Sequence, residues 1–248
     1  MNTTVGSPHG TYRKTAVIVG ILFIIGTVAG ILSGVVIAPV QAGATYPLDI
    51  SGSETQWLIG TLLILVMGFP LAMIPIMLYP IFKKHNEVLA LGAVLFRGVL
   101  EMVCYIIPVI SQFLLLTVSQ IHGTTGAADG AELQAIASLL IATFDWSSLL
   151  LGLVFSIGGM MIYVLFYQTR LVPRWLSGWG FIGAVLYFIA HLDGIFGSQQ
   201  VLSFDSGLGF LMAPLAIQEM VFAVWLIVKG FNPSAIASLS AKPVVNQA

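Results

Sequence analysis

The run VLALGAVLFRGVLEMVCYIIPVISQF, residues 88–113, carries only two charged side chains, Arg97 and Glu101, set one helical turn apart. At a rise of about 1.5 Å per residue, about 20 residues cross the roughly 30 Å of bilayer hydrocarbon, so this run is long enough to span a membrane. An arginine near the middle of such a span costs about 2.5–3.5 kcal/mol by insertion scales, so something in the chain must answer it. Of the 9 basic residues, Arg97 is the one set inside an apolar stretch. Its surroundings are therefore the first place to look for function.

Five further stretches have the same character. The spans are expected at about 15–40, 57–82, 88–113, 145–168, 175–195 and 208–228. With 58% hydrophobic and 8% charged residues, against about 25% charged in soluble domains, the composition belongs to a membrane protein. Residues 131–144 (AELQAIASLLIATF) are too short to cross alone. They read as a short interfacial amphipathic helix before the fourth span, or as an extension of that span. The expected fold is all-α: a six-helix bundle over 15–230, flanked by tails at 1–14 and 231–248.

Basic residues alternate between successive loops. Arg13 and Lys14 precede the first span, Lys83 and Lys84 follow the second, Arg170 and Arg174 the fourth, and Lys229 and Lys242 the sixth. The opposite loops hold no Lys or Arg and carry Asp49, Glu54, Asp129, Glu132, Asp193 and Asp205. The positive-inside rule then puts both termini in the cytoplasm. Arg13 and Lys14 with Val40-Gln41-Ala42 outline a signal peptide. The intervening apolar run far exceeds the usual 7–15 or so residues, so this span is expected to remain.

Depth along the spans groups three charges. Arg97 lies ten residues from Glu87, and Glu219 ten from Lys229. Both are then about 15 Å from the basic edge. Glu101 shares the Arg97 face by i,i+4 spacing, and Tyr105 and Gln112 continue roughly along it. Gln218 adds an amide at similar depth. Fully ionised, the three charges would leave a net of minus one in a low-dielectric setting, so the two carboxyls are expected to titrate as a pair. Either Arg97 and Glu219 clasp two spans together, or the group binds a proton or small solute.

Secondary candidates lie at the other end. Asp145 before Trp146 reads as an N-cap of the fourth span. His191 and Asp193, with Ser147 and Ser148, are the only raw material for hydrolase or transferase chemistry. Pro70, Pro75 and Pro80 predict a kinked or locally broken second span. Gly26, Gly30 and Gly34 form a strip that suits close packing against a neighbouring span or a homodimer face. Similar motifs at 92–96 and 183–187, and at 70–73 and 214–217, hint at a duplicated hairpin. One cysteine, no intramembrane lysine and one intramembrane histidine give no basis for a disulfide, retinal, haem or zinc site, and no cofactor is expected. A net charge of −1 gives no case for nucleic acid, which would need a basic face to neutralise phosphates. Membrane lipids are the expected surroundings.

Four segments carry a family likeness: the run from Arg13 (RKTAVIVGILFIIGTVAGILSG), LALGAVLFRGVLE, LVPRWLSGWG and IQEMVFAVWLIVKGFNPSAI. Together they resemble the bacterial multi-pass membrane family known as domain of unknown function 4386, over roughly 13–237. The resemblance implies a bacterial cytoplasmic-membrane protein and supplies no activity. Its polar features fall here on Arg97, Glu101, Asp145, Trp146, Arg174, Trp175 and Glu219.

Overall fold

Six helices of the computed structural model, which describes residues 8–43, 46–125, 130–198 and 208–241, are long and apolar enough to cross a membrane. They are α1 (Pro8–Gln41), α2 (Glu54–Phe82), a third built from α3 (Glu87–Ala93), a π-helical segment (Val94–Leu100) and α4 (Glu101–Thr125), then α5 (Gly130–Thr169), α6 (Arg174–Asp193) and α7 (Ala213–Val228). A π turn at Gly194–Ser198 extends α6, a 3₁₀ turn at Gly209–Met212 leads into α7, and a short α8 (Pro233–Ala241) follows. No strand occurs among the described residues. The chain is a multi-pass membrane protein, and its all-α bundle has the number of spans that the apolar stretches predict.

Three details refine the expectation. Of the two readings of residues 131–144, the extension of the fourth span holds and the separate interfacial helix does not: α5 runs through the segment without interruption for 40 residues. Nothing between Glu132 and Trp146 breaks a helix, since Gly and Pro are both missing there. At about 60 Å, α5 exceeds the bilayer core and projects beyond it. Likewise α2 continues through Pro70, Pro75 and Pro80. Each proline deletes one helical hydrogen bond, but packing against neighbours lets the helix persist. The segment after residue 230, expected as a tail, begins with α8, whose Ala235, Ile236 and Leu239 are buried in the main core.

Side-chain and backbone contacts gather one set of helix ends. Arg13 donates to the last carbonyls of α7, at 3.0 Å to Leu226 and 3.3 Å to Val228, where a cation suits both the orphan carbonyls and the negative end of the helix dipole. Lys84 donates to the Tyr12 hydroxyl at 2.9 Å, His85 meets Gln168 at 3.0 Å, and the Asn232 amide bonds the Leu171 carbonyl at 2.8 Å. Arg170, Arg174 and Lys229 line one open depression there. This is the basic end of the bundle; Lys242, Asp129 and Asp205 lie outside the described residues.

At that opposite end the 46–53 loop packs across the extended α4–α5 pair, with Ile50, Trp57, Leu116, Val118, Leu133 and Ala137 in one apolar cluster. The Ile50 amide bonds Ser119 Oγ at 2.7 Å, and Trp57 Nε1 donates to the Gln112 carbonyl at 3.0 Å. Tyr46, in the same loop, has its phenol pushed to a higher pKa by burial. The glycine strip of α1 faces α2. A Cβ at Gly26 would fall 2.7 Å from Leu71, and one at Gly30 would fall 2.5 Å from the Met67 sulfur. Two members of the strip are thus occupied by packing within the chain.

Candidate functional site

Arg97 sits in a π-helical segment, Val94–Leu100, inside the third span. A π turn opens the helix by one residue per turn and recurs at functional sites. It packs between α2 and α5. On α5 the contact depends on Gly158, where a Cβ would lie 2.7 Å from the Arg97 amide nitrogen. With the two backbones this close, the guanidinium is enclosed, and Arg97 is 1% exposed.

The guanidinium answers two carboxylates at once. Nη1 donates to both Glu101 oxygens, at 3.3 and 3.2 Å, and Nη2 donates to Glu219 Oε1 at 3.0 Å. One carboxylate comes from the adjacent turn of the same span, the other from α7, 122 positions away in sequence. The fork therefore bridges two acids rather than gripping one bidentately. Glu101 is fully buried, while the Glu219 side chain keeps 12% of its surface. The third partner is an aromatic face: the guanidinium carbon stands 3.8 Å from the centre of the Phe155 ring on α5. Desolvated cation–π contacts of this kind contribute about 2 kcal/mol.

Little space remains. A cavity of about 10 Å³, bounded by Phe23, Arg97, Phe155, Tyr163, Leu215 and Glu219, has room for about one water. Tyr105, one turn past Glu101, is buried beneath Gly68 of α2. Gln112, two turns further, accepts from Thr61 at 2.6 Å. Gln218 turns away from the guanidinium: it accepts from the Tyr163 hydroxyl at 2.8 Å and donates to the Leu176 carbonyl at 3.0 Å, tying α7 to α5 and α6.

Asp145 is not an N-cap. It lies fifteen residues after the start of α5 at Gly130, half-buried, at the rim of a separate cleft. His191 bonds the Tyr187 carbonyl of its own helix at 2.8 Å and stacks on the Tyr187 ring at 4.4 Å. Tyr187 in turn lies 5.0 Å from Phe155, so a run of rings leads from Arg97 to His191. Ser147 and Ser148 donate to the Phe144 carbonyl at 2.9 and 2.8 Å. Among the described residues no serine hydroxyl bonds His191, and Asp193 ends α6 beside Gly197. These groups do not form a nucleophile–base pair.

Phe155, Tyr163 and Tyr187 escaped the reading of the chain. Gly158 and Gly159 are legible in the fourth span as a pair that permits close approach or a bend, and the structure uses Gly158 for close approach. The aromatic residues gave no signal, because apolar helices are full of rings and only the packing of α5 decides which ring meets the cation.

The sequence matches the profile of a family described as domain of unknown function (DUF4386) over residues 18–230. No curated protein and no solved structure matches it.

Proposed function

We propose, for a chain that belongs to the domain of unknown function (DUF4386) family, that the cluster of Arg97, Glu101 and Glu219 is a proton-binding site at the membrane midplane. The reading is carried by one observation: a single guanidinium contacts two carboxylates, leaving one negative charge unanswered where charge is costly to hold. A proton shared by the two carboxyls neutralises the cluster. The cavity beside Glu219 has room for about one water to hand that proton on, and too little for a larger solute. Further support comes from the π segment under Arg97, a backbone irregularity that lets this turn open without unravelling the span. In this reading the basic end faces the cytoplasm of a bacterial plasma membrane, by the asymmetry of Lys and Arg.

Infrared difference spectra of the protein in nanodiscs, taken across a pH series, test it. A protonated-carboxyl band should be present and should shift or vanish in Glu219→Gln and Glu101→Gln. In proteoliposomes with an internal pH dye, the same variants should change proton entry under an imposed potential.

The close packing favours a second reading, in which the three groups only fasten α3–α4 to α7. That clasp predicts lower thermal stability in the variants, no carboxyl band, and proton entry equal to that of empty vesicles.

A further inference from the structure

We propose that the cleft between α1, α2, α4 and α5, at the end opposite the basic one, binds an ammonium ion carrying a small apolar body. The cleft encloses about 290 Å³, at the lower end of ligand-sized pockets. Its walls are mostly apolar, and its polar groups are answered from within the chain. Ser33 donates to the Gly60 carbonyl at 2.7 Å, Gln112 Oε1 accepts from Thr61, and the Trp57 indole donates to the Gln112 carbonyl.

Asp145 is the exception. Its carboxylate has no hydrogen-bond or ion-pair partner among the described residues. Its position inside α5 removes the helix cap as a reason for its being there. Among the described residues no Lys or Arg meets it, because Arg97 is held by its own carboxylates and Arg13, Lys14, Lys83, Lys84, Arg170, Arg174 and Lys229 lie at the basic end. The cleft thus presents one formal charge, negative, beside the Tyr46 and Trp57 rings, whose centres are 6.0 Å apart. A carboxylate with aromatic faces is the recognition chemistry of an organic cation. A metal ion is a poor match, since one carboxylate in an apolar cleft supplies too few oxygen ligands.

Depth fixes the ligand's shape. Asp145 precedes Phe155 by ten residues of α5, so it lies about 15 Å from the guanidinium level, at the edge of a hydrocarbon layer about 30 Å thick. Ile64 and Leu115 line the same cleft. An amine with an apolar body would set its charge at this edge and its body against the apolar walls. The inference is independent of the midplane cluster.

Phenethylammonium, with 2-phenylethanol as its neutral counterpart, is the probe for protein in phosphatidylglycerol nanodiscs, read by titration calorimetry. The ammonium should bind about tenfold more tightly than the alcohol. Asp145→Asn should remove that preference while leaving the alcohol's affinity in place. A Cβ at Gly34 meets nothing within 4 Å and the residue lines the cleft, so Gly34→Leu should fill it and abolish binding of both probes. Asp49→Asn, a surface carboxylate at the same end, should change neither. Replacing phosphatidylglycerol with phosphatidylethanolamine separates the sources once the loss of surface charge is taken from the same exchange with Asp145→Asn: a larger fall in the ammonium's affinity for the unaltered protein than for the variant assigns the site to a lipid headgroup, and an equal fall assigns it to a soluble amine. Equal binding of the two probes, no saturable binding, or an unchanged preference in Asp145→Asn overturns the proposal.

Discussion

On one helix, α5, Phe155 receives a guanidinium that two carboxylates also hold, while ten residues earlier Asp145 edges a cleft of about 290 Å³ with no ion-pair partner among the described residues. Both are charged sites in an apolar bundle, and they differ in partners and in room. Around Arg97 the free space shrinks to about 10 Å³, and one guanidinium is shared between two carboxylates. Around Asp145 the cleft is larger and the carboxylate is only half-buried. In the two proposals above, the crowded site has room for a proton and the open one for a larger cation.

The contrast can be broken most forcefully at the cation. Arg97→Met should cost about 3–5 kcal/mol of stability, because it strands two carboxylates in the interior. Adding Glu101→Gln and Glu219→Gln to that variant should recover most of the loss, as measured by denaturant unfolding in nanodiscs. No such recovery would mean that the cost comes from shape and not charge. Next in size, Gly158→Ala inserts a methyl against the Arg97 backbone and should cost about 1–3 kcal/mol, with the π segment displaced and the Glu219 contact weakened. An unchanged melting temperature would show that the approach of α5 is not needed.

The other side of the comparison predicts near-neutrality. Asp145→Asn should alter stability by no more than about 0.5 kcal/mol without ligand, since no internal partner is lost. A loss as large as that at Arg97 would reveal a partner for Asp145 and end the distinction. The smallest effect belongs to Asp49 in the loop at that same end. Hydrogen bonds from the Ser51 side chain and amide hold its carboxyl below the usual carboxylate range. Its contribution is therefore present above the ordinary carboxylate pKa and fades as pH falls through the lowered folded value. Ser51→Ala should move the Asp49 titration upward in a carbon-detected NMR series.

The pairing of Arg97 with Glu219 was legible because few solutions exist: an arginine at mid-depth needs an acid, and only Glu101 and Glu219 lie deep in apolar runs. Residues 131–144 were legible as helix, either separate or continuous with the fourth span, because a pattern too short to cross a bilayer does not say which. The Asp145–Trp146 pair looked like a helix start for the same reason. Three prolines in α2 pointed to a kink or a local break, and the helix continues through all of them, while a π turn forms at Val94–Leu100, where the run holds Gly98 and no proline.

The sequence by itself determined a bundle of six membrane-length helices with its basic loops on one side, for these follow from length, hydropathy and charge read along a line. Only the tertiary structure decided that a phenyl ring and two acids enclose the guanidinium, and that Asp145 lines a cleft with no ion-pair partner among the described residues. Those outcomes depend on which helix faces meet and how closely. Apolar helices leave that choice to small differences in side-chain volume distributed over many distant positions.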